Sequence, residues 1–134
     1  MKGEQRNAYQ GNPERPWVRL RLAGPDGSTV ELDLVADTGN PCALIIGHQK
    51  MITLKSGDGP DVDTNFGMLE GGWLQLVMPE LGLDIPILGY ASDAVVTAAK
   101  SDHADFEGLA GLPLLRLMEY GGDATCFWIR STVG

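Results

Sequence analysis

Hydrophobic and polar residues alternate strictly in two stretches of the chain, residues 17–22 and residues 30–37. Alternation with a period of two predicts β-strands that bury one face and expose the other. Between the stretches, residues 24–28 read Gly-Pro-Asp-Gly-Ser, which is typical of a tight turn. The pattern therefore predicts an antiparallel hairpin.

One register of this hairpin satisfies both of its faces. It pairs apolar residues with each other on one face and opposite charges on the other, and each such pair contributes up to about 1 kcal/mol. A slip by one residue would disrupt both faces at once. The predicted pairs are Leu22–Val30, Leu20–Leu32 and Val18–Leu34 on the first face, and Arg21–Glu31 and Arg19–Asp33 on the second.

The rest of the chain predicts short elements separated by glycine and proline. They are a buried strand at 43–46, a helical turn at 47–54, a loop at 55–60, a hairpin at 62–76, strands at 73–78 and 83–90, a helix at 112–120 and a closing strand at 125–130. Pro86 indicates an edge position or a bulge in its strand, and residues 94–99 fit either a strand or a helical turn. Residues 1–16 are polar and predict a flexible N-terminal arm, either a disordered leader or a terminal strand at an interface.

Composition narrows the class of protein. The chain has 134 residues, enough for one domain, and its 18 glycines and 8 prolines favour a mostly β protein with many turns. A net charge of −8 argues against nucleic acid as a partner. Two cysteines do not make a disulfide framework, and there is neither a signal-peptide pattern nor an apolar run of membrane-spanning length. We expect a soluble, cytoplasmic protein with no membrane association.

The candidate chemistry lies at the end of the second alternating stretch, where an apolar strand finishes on Asp37, Thr38 and Gly39. A buried strand has no reason to end on aspartate unless the carboxylate is hydrogen-bonded, exposed or used. Thr38 supplies a small hydroxyl, and Gly39 lets the backbone pass close to the carboxylate. Taken alone, the pattern also fits an ordinary turn aspartate after a strand.

Together with residues 109–115 (Leu-Ala-Gly-Leu-Pro-Leu-Leu), this segment resembles the retroviral-type (retropepsin-like) aspartic proteases and their bacterial single-domain relatives. The resemblance covers about residues 17–130 and implies a protease domain at 17–134, a closed β-barrel or sandwich of short strands with one C-terminal helix. It implies catalytic roles for Asp37, Thr38 and Gly39. The family's substrate-binding flap would correspond to Asn65, Phe66, Gly67, Met68 and Leu69, with an apex near Phe66 or near Gly71.

Only one Asp-Thr-Gly is present, whereas this chemistry needs two carboxylates that share a proton. The resemblance therefore implies a homodimer in which Asp37 meets Asp37 of a second copy and hydrolyses peptide bonds through an activated water, without cofactor or metal. Asn40 and Pro41 depart from the family pattern, in which Ala or Ser usually follows the glycine. The alternative function is thus a catalytically inactive module for dimerisation or peptide binding.

Other candidate chemistry is weaker. Cys42 and His48 could be drawn as a nucleophile and its base, but no orienting partner is evident, which favours a buried thiol and a surface histidine. The cysteines and histidines lack zinc-site spacing, and the glycine-rich segments lack the Lys-Ser/Thr of a phosphate loop. Trp73 and Trp128 are predicted to be core or interface aromatics.

Overall fold

The computed structural model describes residues 3–132, which form ten β-strands and three short α-helices. The strands are β1 Glu4–Ala8, β2 Trp17–Ala23, β3 Thr29–Asp37, β4 Leu44–Ile46, β5 Gly57–Thr64, β6 Gly67–Met78, β7 Leu83–Ala91, β8 Gly108–Gly111, β9 Glu119–Gly122 and β10 Cys126–Arg130. The helices are α1 His48–Leu54, α2 Asp93–Ala99 and α3 Leu112–Leu115, and a 3₁₀ turn spans Pro79–Leu81.

Seven strands form one sheet in the order β2-β3-β8-β4-β7-β6-β5, and a further pairing of β2 with β6 closes it into a barrel. Strands β1, β10 and β9 form a separate small sheet. The predicted mostly β fold with a closed barrel is confirmed. Since the longest helices of residues 3–132 have seven residues, none of them could cross a bilayer.

The hairpin of β2 and β3 has the register that the alternation predicts. Leu22 lies opposite Val30, and the other four predicted pairs follow. On the inner face Val18, Leu20, Leu22, Leu32 and Leu34 are fully buried in the barrel core. On the outer face the guanidinium of Arg19 reaches the carboxylate of Asp33 at 2.7 Å.

A second apolar cluster lies outside the barrel core, beneath α2. Its buried members include Trp17 and Val35 from the hairpin, Ile45 from β4, Val95 from α2 and Leu109 from β8. The open prediction for residues 94–99 is thereby decided in favour of a helix, capped by the Ser92 hydroxyl, which accepts a hydrogen bond from the Val95 N–H.

Two predicted elements differ from the structure. The helix predicted at 112–120 ends after Leu115, and Glu119–Gly122 forms β9 paired with β10. The leucine-rich stripe suggested a longer helix, but strand pairing outweighs that local preference. Within the predicted loop at 55–60, residues from Gly57 onward belong to β5 because they pair with Trp73, Gly72 and Gly71 of β6.

Residues 1–16 are predicted as an arm that is either a disordered leader or a terminal strand at an interface, and the described part of this segment contains a strand, β1. Glu4–Ala8 pairs antiparallel with β10 of the same chain. Residues 10–15 then form a loop closed by backbone hydrogen bonds between Gln10 and Arg15. The polar composition concealed this strand, because β1 exposes one face and is only partly buried on the other.

Smaller expectations are also decided. At Pro86, β7 pairs only with β6, because β4 pairs with β7 only at Tyr90 and Ala91. Pro86 therefore has the edge position that its sequence predicts as one of two alternatives. Trp73 is 40% exposed and so is not a core residue. Trp128 is partly buried beneath the Arg130 guanidinium, which lies 4.2 Å from the ring centroid.

Candidate active site

The candidate site forms where β3 and β8 end side by side. The two strands run parallel, with Val35 beside Leu109, Ala36 beside Ala110 and Asp37 beside Gly111. Beyond these ends, the Leu112 N–H donates to the Asn40 carbonyl at 3.1 Å, and the Gly111 N–H donates to Ala43 at 2.9 Å. The two distant sequence segments that carry the resemblance are therefore in direct contact.

The carboxylate of Asp37 is half-buried and held by its own turn. Its Oδ1 accepts a hydrogen bond from the Gly39 N–H at 3.0 Å, and the Asn40 N–H donates to the Asp37 carbonyl at 3.1 Å. This Asx turn fixes one carboxylate oxygen and leaves the other unbound within residues 3–132. Asp37 can thus act on a water or on another acid.

Thr38 and Gly39 are exposed in the single chain. The Thr38 hydroxyl makes no hydrogen bond to any residue from 3 to 132. Burial of this hydroxyl beside a carboxylate pair would require a second copy of the chain.

Gly111 has no room for a side chain. A Cβ at this position would overlap the carbonyl oxygen of Cys42, and it would lie 2.8 Å from the carbonyl oxygen of Asn40. Because both obstacles are backbone, they cannot move aside cheaply. The absence of a side chain at Gly111 is what lets the segment after Asp37 pack against β8.

Asn40 is buried at 7% exposure directly behind the Asp37 turn. Its Oδ1 accepts a hydrogen bond from the Cys42 N–H at 3.0 Å, while its Nδ2 is buried without a partner among residues 3–132. The departure from the family pattern at this position is therefore accommodated structurally as a brace of the loop.

Opposite Asp37 stands the turn that joins β5 and β6, with Asn65 and Phe66 at its apex. The Thr64 hydroxyl accepts from the Phe66 N–H at 3.0 Å and donates to the Gly67 carbonyl at 2.9 Å, and Gly67 has a φ of +93°. Of the two apex positions left open by the sequence, the structure has the one near Phe66. Gly71 lies within β6.

The five residues predicted as a flap differ in their surroundings. Asn65, Phe66, Gly67 and Met68 are exposed, Phe66 by 54% and Met68 by 65%. Leu69 is buried at 4% and packs in the cluster beneath α2, so it anchors the hairpin.

Two cavities meet at Phe66. One, of about 190 Å³, is lined by Asp37 and Phe66 together with Arg15, Val95, Ala98, Ala99 and Leu109. The other, of about 260 Å³, is lined by Asn40, Pro41, Cys42, Ile45, Tyr90 and the turn of β5 and β6. A cleft with two compartments therefore lies between the Asp37 turn and the apex of the hairpin.

Arg15 lines the same cavity as Asp37, which the prediction of a flexible arm at residues 1–16 does not anticipate. The signal was nevertheless present in the hairpin register. Trp17 lies opposite Val35, and the Ala36 N–H donates to the Pro16 carbonyl at 3.0 Å. Extending this register by two residues from Trp17 predicts Arg15 close to Asp37, and the two residues line one cavity.

The weaker candidates do not come together. Cys42 lines the cavity beside Asn40, whereas His48 lines a different one, between α1 and strands β5 and β6. Burial raises the pKa of the Cys42 thiol, which disfavours the reactive thiolate. Among residues 3–132 there is no cluster of three His, Cys, Asp or Glu side chains that could hold a metal.

Comparison with solved structures gives an informative similarity. Neither the protein-family models nor the curated proteins yield a match to this chain. Among solved structures, the chain is similar to a retropepsin-like aspartic protease from Rickettsia conorii, with a TM-score of 0.59 and 14% sequence identity. The match covers 98% of this chain and 92% of that one, and it shows that the fold is retropepsin-like.

Proposed function

We propose that this chain is an aspartic endopeptidase that works as a homodimer. The observation that carries the proposal is the setting of Asp37, a half-buried carboxylate at a strand end beside Gly111, facing a cleft in a retropepsin-like fold. The Rickettsia protein with this fold is described as an aspartic protease. An extended peptide would lie in the cleft between the Asp37 turn and the hairpin apex.

In the proposed mechanism two copies of Asp37 face each other across a two-fold axis. Two carboxylates at close range cannot both ionise, so they share one proton. The ionised member takes a proton from a water as it attacks the peptide carbonyl carbon, and the protonated member gives its proton to the carbonyl oxygen, which forms a tetrahedral diol. The C–N bond then breaks as the first member passes its proton to the leaving amine and the second takes a proton back from a diol hydroxyl. The products are a carboxylic acid and an amine, and the pair is again singly protonated. Gly39 N–H holds the carboxylate in place through the step.

Dimerisation is supported by two features of the single chain. It has one Asp-Thr-Gly, so a second carboxylate of this type must come from another copy. The exposed Thr38 hydroxyl, which has no hydrogen-bond partner among residues 3–132, is suited to a symmetric contact. Sedimentation equilibrium at micromolar concentration measures the association, and a protein that stays monomeric in all conditions would rule out the homodimeric enzyme.

The decisive experiment compares Asp37→Asn with the wild-type protein on unfolded protein substrate. We expect cleavage to be lost while the circular dichroism spectrum is retained, because Asn keeps an acceptor for the Gly39 N–H but cannot exchange a proton. Asp105→Asn is the matched control, since Asp105 is an exposed aspartate outside the cleft. Cleavage that persists in Asp37→Asn would locate the chemistry elsewhere.

The pH profile offers a second test. Only the singly protonated pair can both activate water and donate a proton, so the rate should follow a bell-shaped curve with its optimum below neutral. The assay is run well above the dimer dissociation concentration, because dissociation would distort both limbs.

A non-catalytic module for dimerisation or peptide binding is the second candidate, favoured by the buried Asn40 in place of a small residue. It predicts peptide binding without turnover. Equal peptide binding by the wild type and by Asp37→Asn, with no cleavage by either, would select this function.

A further inference from the structure

Arg15 is fixed in position beside the candidate catalytic aspartate. Its backbone N–H donates to the Gln10 carbonyl at 2.8 Å, and its carbonyl accepts from the Gln10 N–H at 3.3 Å. The next residue, Pro16, is held to β3 by the Ala36 N–H. The loop that carries Arg15 is therefore anchored on both sides, and the side chain lines the same cavity as Asp37.

Arg15 differs from the other arginines in its surroundings. Among the arginines, Arg6, Arg19, Arg21 and Arg130 all form ion pairs, and Arg116 is exposed at the surface. Arg15 is partly buried, makes no ion pair with residues 3–132, and its Nε is buried without a hydrogen-bond partner. Asp37 lines the same cavity but forms no ion pair with Arg15, so the buried Nε of Arg15 is free to take a hydrogen-bond partner from a bound molecule.

The cavity next to Arg15 suits a side chain with an apolar stem and an anionic end. Its other walls are Phe66, Val95, Ala98, Ala99 and Leu109, and its volume of about 190 Å³ corresponds to roughly six waters. The guanidinium presents a planar fork of donors that matches a carboxylate. The methylene groups of a glutamate can therefore contact the apolar walls while its carboxylate meets Arg15.

The negative charge of Asp37 would repel a glutamate carboxylate bound in the same cavity. In the proposed dyad the two aspartates together carry one negative charge, shared across the axis, which reduces the repulsion that each subunit's cavity would feel. The Arg15 end of the cavity belongs to the loop before β2, whereas Asp37 belongs to the end of β3.

We propose that Arg15 is a specificity-determining residue that selects a glutamate side chain in the peptide bound beside Asp37. The proposal rests on the proposed function of the Asp37 cleft as a peptide-binding site. It adds a substrate class, namely extended peptides with an acidic residue at one fixed distance from the scissile bond.

The test uses quenched fluorescent octapeptide pools in which one position at a time is fixed as Glu, Gln or Lys and the others are varied. Glu and Gln have the same shape and differ in charge, so their ratio of kcat/KM reports the interaction with Arg15. We expect Glu to exceed Gln about ten-fold or more at one position. A ratio near one at every position would overturn the proposal.

Variants then identify the cation responsible. Arg15→Gln should bring the ratio close to one, and Arg15→Lys should lower it while keeping it above one, because lysine is a point charge that cannot bind both oxygens at once. Arg116→Gln removes the same charge from an exposed site and should leave the ratio unchanged. A uniform loss of rate in Arg15→Gln with an unchanged ratio would contradict selection by Arg15 and indicate that Arg15 supports the fold or Asp37.

If Arg15→Gln does not fold, Arg15→Lys decides: a lowered ratio supports the proposal, and a ratio equal to that of the wild type overturns it. If the wild type cuts none of the pools, the proposed hydrolysis fails, and retention of the pools on immobilised protein is measured instead. Enrichment of Glu peptides over Gln peptides that is lost in Arg15→Gln supports the proposal. Equal retention, or none, overturns it.

Discussion

The cleft has a floor and a roof that are built in opposite ways. The floor consists of residues 37–42 and 109–112, which are tied together by backbone hydrogen bonds and leave no space at Gly111. The roof is the hairpin apex at residues 64–68, where a Cβ on Gly67 would meet nothing within 4 Å. The protein itself determines the shape of the floor, whereas the roof has open space in which to adjust to what lies below it.

The largest effect should come from Gly111→Ala in the floor. The new methyl group overlaps the Cys42 carbonyl, so β8 or the loop after Asp37 must shift, and we expect a loss of about 3 kcal/mol in the free energy of unfolding. Urea denaturation measures it. Gly57→Ala is the control, because Gly57 lies at the base of the roof hairpin with open space around it and without a positive φ.

A small effect of Gly111→Ala, similar to that of Gly57→Ala, would show that the floor can adjust as easily as the roof. The comparison between the two surfaces would then fail.

In the roof, Phe66→Ala should affect activity and leave stability nearly unchanged. Phe66 lines both cavities and is 54% exposed, so its loss opens both compartments and should lower kcat/KM for peptide cleavage roughly ten-fold. The melting temperature should stay close to that of the wild type, in contrast to Gly111→Ala.

Met68→Ala is the matched control for the roof. Met68 is 65% exposed and lines neither of the two cavities. Equal losses of activity in the two variants would mean that the hairpin acts through its general flexibility and that Phe66 has no particular contact with substrate.

The smallest effect concerns the terminal sheet, which belongs to neither surface. Hydrogen bonds from the N–H groups of Thr125 and Cys126 lower the pKa of Asp123 from its ordinary 3.8 to about 2. A lowered pKa in the folded state stabilises the protein above pH 4, and this contribution is lost as the pH falls towards 2. We expect a slightly steeper fall in melting temperature between pH 4 and 2 for the wild type than for Asp123→Asn.

Because the Asp123 carboxylate is exposed, solvent screens most of this contribution. Parallel curves for the two proteins would show that these hydrogen bonds do not differ between the folded and unfolded chain.

The sequence predicted the floor better than the rest, for a physical reason. Alternation in β2 and β3 determines the register residue by residue, since one slip would expose Leu20 and bury Arg19. That register delivers Asp37 to its strand end, and it also delivers Arg15, although the polar composition of residues 1–16 hid this consequence. The pairing of β3 with β8 could be expected only through the family resemblance, because nothing in either segment specifies the other.

The errors arose where pairing between distant strands overrides local composition. Glycine and proline at residues 57–60 suggest a loop, yet β6 holds them in a strand with a bulge between Gly59 and Val62. The leucines at 114–117 suggest a long helix, yet the chain turns after Leu115 so that Glu119–Gly122 can pair with β10. The local sequence of either segment contains no information about its partner.

The pairing of the ends of β3 and β8 also affects the order in which parts of the chain fold. Their residues are roughly seventy positions apart along the chain. Joining them therefore costs more loop-closure entropy than joining the adjacent strands β2 and β3 through their short turn. Contacts of such high sequence separation slow folding. The hairpin can form from local contacts alone, whereas the Asp37 turn acquires its neighbours only when β8 docks, so we expect the candidate site to be completed late in folding.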